Sequence, residues 1–262
     1  MKSVWMNEIT WEDVAEYLKN DNIAIIPVGS TEQHGPAGPL GVDSYAAIAI
    51  AEDAAKKSNV LVTPPLWFSD SPHHLEFPGT ISLRPATLIS VIKDIVHSLE
   101  RNGFKKFILI NGHKGTNLPA LTLACREIQQ YELPHVRMAL TDPLFLCTNA
   151  GQLKGTSTEH HAGVLEISHV MYKFPGLVKE DKRPSEDVNL EDVFGDYMKK
   201  DLFGGGKPPV EIFWNSYQQK NFAPNGNFSA SDKGSKEMGK TYHDNMVGNL
   251  VDFIQWFRSF EG

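Results

Sequence analysis

The chain has 262 residues, with 25 Lys plus Arg against 32 Asp plus Glu, a formal net charge of -7, 41% hydrophobic residues and 22% charged residues. This acidic balance, with no basic run, excludes the electrostatic footprint of a nucleic-acid binder or of a protein seated on an anionic membrane. Two cysteines, Cys125 and Cys147, are too few for a disulfide framework; with no apolar signal core near the N-terminus and no apolar run of membrane-span length, a reduced cytoplasmic location is expected. The length fits a single domain over 1–262.

Taken in chain order, Thr10 followed three residues later by Asp13 predicts a capping box, and Val14, Tyr17 and Leu18 share one face of the short helix it opens. Residues 23–28 (IAIIPV) are a continuous apolar run, the pattern of a strand buried on both faces. A loop rich in Gly and Pro follows, then an Ala-rich helix over 44–57. A second strand covers 60–63 and is ended by Pro64 and Pro65. A helix over 86–102 has Leu88, Ile92, Ile95 and Leu99 at helical spacing, and a strand over 107–110 leads into NGHKGTN. A helix over 118–131 and a strand over 135–140 complete the alternation. After Pro143 the pattern is less regular. A helix is expected over 161–172, a charged surface connection over 179–192, breaker-rich loops over 203–209 and 223–234, and a long helix over 235–260. The alternation predicts an α/β fold with a mostly parallel sheet and helices on both faces.

The loop after the first strand, GSTEQHGPAGPLGVD, holds Glu32, His34 and Asp43. An imidazole between two carboxylates is a metal-type ligand set, and packing two carboxylates together without a cation is self-repelling. Taken alone, Asp43 reads first as a cap for the helix that follows; it is the three together that point to a metal. His113 leaves the other apolar strand in NGHKGTN, where Asn-Gly is also a turn signal. In sheets of this kind, ligands gather beyond the carboxyl ends of the strands, so the two loops can converge. His160, His161 and Glu166 lie in TEHHAGVLEIS; His161 and Glu166 reach one site only if that helix points its N-terminus into it. His73 and His74 precede FPGT. Trp67 and Trp214 are possible pocket walls, and His97, His135, His169 and His243 read as structural or surface residues.

Four strings in order, VGSTEQHGPAGPLGVD, HHLEFPGTISL, NGHKGTN and HHAGVLEIS, resemble the motifs of the creatininase (creatinine amidohydrolase) family over 23–168; ASDKG at 230–234 is a weaker match. The resemblance implies a Rossmann-like three-layer α/β/α fold and a hydrolase with two divalent metal ions (Zn, Mn or Fe) that activate a bridging water. It also implies a homohexamer and a small-molecule substrate. By motif position, Glu32 and His113 would hold one metal and His34 the other, with Asp43 bridging. His161, or Glu159 beside it, would be the general acid or base. His74, Ser71 and Lys114 would contact substrate.

Two positions depart from the family pattern. Where creatininase has a Glu two residues after the NGH histidine, this chain has Gly115, and Glu166 is the expected substitute ligand. Lys114 stands where creatininase has an aromatic contact, which suits an anionic or oxygen-rich substrate group. The expected reaction is hydrolysis of a non-peptide C–N bond in a small cyclic amide or formamide. The alternatives are hydrolytic C–C ring opening of a cyclic polyol diketone of the 3-dehydro-inosose type, or a non-catalytic binding protein that keeps the fold.

Overall fold

The computed structural model describes residues 2–197, 210 and 212–261, so the breaker-rich stretch expected over 203–209 lies outside the described residues. Strands β1 (Ile23–Val28), β2 (Leu61–Val62), β3 (Lys106–Asn111) and β4 (Arg137–Thr141) form one all-parallel sheet in the order β2-β1-β3-β4. The helices are α1 (Trp11–Tyr17), α2 (Val42–Ser58), α3 (Pro85–Asn102), α4 (Asn117–Glu127), α5 (Pro143–Leu146), α6 (Ala150–Leu153), α7 (Val164–Lys173), α8 (Leu190–Phe194), α9 (Ser216–Phe222) and α10 (Lys236–Ser259).

Every residue of β1 is buried, and the two-residue period of a strand sends alternate side chains into opposite layers. Ile23 and Ile25 pack with Ala47, Ile50 and Ala51 of α2 and with Met246 and Leu250 of α10. Ala24, Ile26 and Val28 pack with Leu88, Ile92 and Val96 of α3 and with Leu121 and Ala124 of α4. Each of these large aliphatic side chains contributes roughly 1.5–3 kcal/mol on burial. The small residues of α2 let that helix lie close to the sheet. The capping box of α1 forms as expected, and Pro85 opens α3 while Gly103, at φ 115, ends it.

Several boundaries differ from the sequence reading for local reasons. Helix α2 starts at Val42 rather than residue 44, with Gly41 as its cap, so Asp43 sits inside the first turn and its carboxylate is free to face the site. Helix α7 starts at Val164 rather than 161. Ala162 adopts a left-handed φ of 57 and its N–H is taken by Glu166 Oε2 (2.7 Å), so the chain turns before the helix and His161 stands ahead of it. After α4 the chain continues as a π turn over Ile128–Glu132. The expected 179–192 connection includes a 3-10 turn (Glu180–Lys182) and the start of α8.

The connection from β1 to β2 runs through α2 on one face, and that from β3 to β4 runs through α4 on the other. The loops leaving β1 and β3, which are neighbours, therefore diverge and leave a crevice at the carboxyl ends of those strands. Gly112 N donates to Val28 O (2.8 Å), and Asn117 Nδ2 donates to Gly29 O (3.3 Å) and Asn111 Oδ1 (3.2 Å), which ties the two exits together. A Cβ on Gly112 would lie 2.0 Å from the Asp43 carbonyl oxygen, so only glycine allows β3 to leave this close to the start of α2. Among the described residues, no helix is long and apolar enough to cross a membrane.

Candidate metal centre

The crevice opens into a cavity of about 760 Å³. At its base the structure brings Glu32, His34, Asp43, His113, His161 and Glu166 together. The ligand atoms of Glu32, Asp43 and His113 lie within 4.8 Å of one another, as do those of His34, Asp43 and Glu166, so Asp43 is common to both sets; Glu32, His34 and His161 form a third. His34 Nε2 is 3.2 Å from Asp43 Oδ1, and His113 Nδ1 is 3.2 Å from Glu32 Oε2 and 3.4 Å from Asp43 Oδ2. The N-terminus of α7 does point into the site, which is how Glu166 and His161 reach it from one short segment.

Three atoms at the centre of this cluster, Glu32 Oε1, His34 Nε2 and Asp43 Oδ2, are buried and make no hydrogen bond of good geometry, although imidazole and carboxylate neighbours stand 3.2–3.4 Å from them. One such atom costs about 1–3 kcal/mol, and three in one place are a large penalty unless something binds them. Imidazole and carboxylate donors fit a divalent cation such as zinc, manganese or iron. The donor set therefore fits the group it would hold.

Without a cation the cluster balances its charge with protons. Burial alone would raise the Glu32 carboxyl, but the His113 imidazolium beside it holds it well below the usual carboxylate range. Burial opposes a charged His34, yet Asp43 beside it raises its pKa to about 9, and His113 is raised for the same reason by Glu32 and Asp43. Burial raises Glu166 to about 7, against the pull of His34. His34 thus has a folded pKa above its ordinary 6.5, so the stability it contributes is fully present below pH 6.5 and is lost as the pH rises through 9. Glu166 acts in the same direction in an earlier window, from 4.5 through about 7. The metal-free protein is therefore expected to lose about 3 kcal/mol between pH 6.5 and 9 from His34 alone. Thermal unfolding of chelator-treated protein across that range checks this. Added zinc, which displaces the same protons, should flatten the fall.

The remaining expected site residues sit around this core. Ser71 donates its hydroxyl hydrogen to Glu32 Oε2 and is fully buried, so it supports the cluster rather than standing at the cavity surface. His74, in a 3-10 turn (Pro72–His74), has its Nε2 3.3 Å from Glu32 Oε1. Burial, helped by the neighbouring histidines, keeps His74 well below its usual pKa. Lys114 lies on the cavity wall, 3.7 Å from Asp142 Oδ2 and with its ammonium 4.2 Å from the centre of the Phe145 ring. The carboxylate of Glu159 accepts from Leu165 N (3.0 Å) and Glu166 N (3.4 Å), anchoring the first turn of α7. His161 is held neutral by burial and by His34 and His74. Its Nδ1 is 3.9 Å from Glu32 Oε1.

The sequence reading left out Gln33, Gln219 and Asp142. Gln33 sits between two expected ligands, but a neutral amide carries no metal signal. Asp142 directly follows β4 and caps α5 through Leu144 N (2.9 Å) and Phe145 N (3.0 Å). The rule that ligands gather at strand carboxyl ends could have found it. Gln219 lies on α9 and has no local signal. The buried His169 and His243 form a network with the half-buried Asp53 and Lys173, outside the three ligand sets, with His169 Nε2 2.9 Å from His243 Nδ1 and His243 Nε2 2.9 Å from Asp53 Oδ2. His97 and His135 pair with Glu132 and Glu100 nearer the surface.

The family model described as Creatininase: Creatinine amidohydrolase matches residues 7–254. The chain is 29% identical over 275 residues to the creatinine amidohydrolase of Pseudomonas putida, covering 97% of each chain. It is 37% identical over 111 residues to the 3-dehydro-scyllo-inosose hydrolase of Thermotoga maritima, covering 42% of this chain and 36% of that protein. The latter match therefore spans about a third of that relative's length. Among solved structures, the Zn-Zn type of a mutant creatininase is similar with a TM-score of 0.80 at 25% identity, covering 99% of this chain and 100% of that one.

Proposed function

The chain belongs to the creatininase family and is a metal-dependent hydrolase, and on that premise we propose that its buried cluster holds two divalent cations and serves to cleave a C–N bond in a small cyclic amide or formamide. The observation that carries this reading is the trio of orphaned buried atoms, Glu32 Oε1, His34 Nε2 and Asp43 Oδ2, meeting across a shared Asp43. Glu32, Asp43 and His113 would hold one cation, and His34, Asp43 and Glu166 the other. Glu166 thus takes the place of the ligand that Gly115 cannot supply. Cations bound there would acidify water and polarise a carbonyl.

Hydrogen accounting gives the chain's own part in the reaction. His161 Nε2 lies 2.9 Å from Gln33 O and 3.0 Å from Gln33 Nε2; the two hydrogens of that amide go to His74 Nδ1 (2.7 Å) and Gly226 O (3.0 Å), and the carbonyl can only accept, so the Nε2 proton goes to Gln33 O. That leaves His161 Nδ1 as the basic nitrogen turned toward the cluster, able to take a proton from the nucleophile and pass it to the leaving nitrogen. Glu159 is committed to backbone amides, so His161 rather than Glu159 is the proton carrier in this reading. Free thiols at Cys125 and Cys147 suit the expected reducing cytoplasm, and a homohexamer belongs to the same proposal.

A second reading, C–C ring opening of a cyclic polyol diketone, is favoured by the paired Lys114 and Asp142. Together they set an ammonium and a carboxylate on the cavity wall without net charge, a combination that suits a neutral substrate rich in hydroxyls. Turnover of creatinine, N-formyl compounds and keto-inositols by wild type and by Lys114→Met separates the two. A hydrogen bond to a charged group is worth about 1.5–3 kcal/mol, so the polyol reading predicts a KM for a keto-inositol raised roughly 10–100-fold in the variant. The amide reading predicts turnover of an amide or formamide that changes less than about tenfold, within the cost of one lost polar contact.

A further inference from the structure

The amide groups around His74 decide where its proton sits. Gln33 Nε2 and Gln219 Nε2 both lie 2.7 Å from His74 Nδ1. Neither amide can be turned round without loss. Gln33 Oε1 accepts from Gly35 N (2.9 Å) while its Nε2 donates to Gly226 O (3.0 Å). Gln219 Oε1 accepts from Trp214 Nε1 (2.8 Å), an indole that can only donate. Both amides therefore present N–H to Nδ1, and Nδ1 must accept.

We propose that Gln33 and Gln219 are positioning residues that fix His74 in the Nε2–H tautomer, making it a neutral hydrogen donor beside Glu32 and excluding it from the metal ligands. The geometry supports this twice over. Nε2 faces Glu32 Oε1 at 3.3 Å, where a second lone pair would repel the carboxylate and a proton is attracted. The arrangement also links the cavity wall to the cluster, because Trp214 lines the cavity and orients Gln219, Gln219 orients His74, and His74 faces Glu32. The role given to Glu32 rests on the metal-dependent reading above; the tautomer does not.

Neutron diffraction from zinc-loaded crystals reads the proton directly. The expected map has deuterium on His74 Nε2 and none on Nδ1. In Gln219→Glu, nearly the same size and still able to accept from Trp214, a carboxylate oxygen would face Nδ1 and deuterium should appear there. Deuterium on Nδ1 in wild type overturns the proposal, and an unchanged His74 in the variant overturns the role given to Gln219, since Gln33 at the same 2.7 Å would then set the tautomer by itself. If the variant does not fold, the wild-type map alone decides. Zinc affinity of Gln219→Met supplies the functional readout. His74 is the group that orients the ligand Glu32, and such partners are worth about 10–100-fold in metal affinity, so freeing His74 by removing Gln219 should cost less, roughly threefold or more. Unchanged affinity would remove the positioning role. A wild-type crystal without zinc at Glu32 would instead count against the metal-dependent reading, while the His74 proton would still be read.

Discussion

An Asp43→Asn protein is expected to fold and to lose nearly all hydrolytic activity. Asp43 is the one carboxylate common to both ligand sets, so its loss weakens both cation sites at once. A metal's contribution to a carbonyl reaction is several kcal/mol, which corresponds to a fall in kcat/KM of about 10³-fold. Folding should survive because the first turn of α2 does not depend on the Asp43 side chain as a cap: Gly41 holds that position, and Gly112 packs against the Asp43 backbone, which Asn shares. Steady-state kinetics beside a thermal melt tests both halves. Near wild-type turnover would refute the shared-ligand arrangement.

His161→Gln should behave differently. Removing a general acid or base typically costs 10²–10⁴ in rate, so kcat should fall by about that factor while cation content stays at the wild-type level. The separation follows from position. His161 donates Nε2–H to Gln33 O and presents Nδ1 to the cluster, whereas the two ligand sets that share Asp43 do not include it. Kinetics and metal analysis on the same preparation check it. A loss of cations in step with activity would make His161 a ligand, through the set it forms with Glu32 and His34.

The parts legible in the sequence are those where local pattern and tertiary role coincide. The run IAIIPV announces a doubly buried strand because both of its faces pack against helices. The 29–43 loop announces a polar site because core packing gives no reason to place Glu32, His34 and Asp43 among so many Gly and Pro residues. The strand-end rule then brings His113 to the same place. The role of Glu159 was harder to read, because its carboxylate serves a helix start that begins three residues later than the apolar pattern predicts. The cause is the left-handed turn at Ala162, which the sequence does not signal with glycine. Gln219 was beyond reach because its contact with His74 depends on how α9 packs on the Pro72–His74 turn, a long-range event with no periodic trace. Asp142 shows the opposite failing, since the strand-end rule that found His113 applied to β4 as well.

The central claim is that acidic and imidazole side chains from the segment after β1, the loop after β3 and the start of α7 are gathered by divalent cations. The most direct test is the cation content of the purified chain, measured by elemental mass spectrometry after equilibration with micromolar zinc or manganese and removal of free ions. The account predicts two cations bound per wild-type chain and a near-complete loss in Asp43→Asn. A wild-type protein that retains none under those conditions would contradict it.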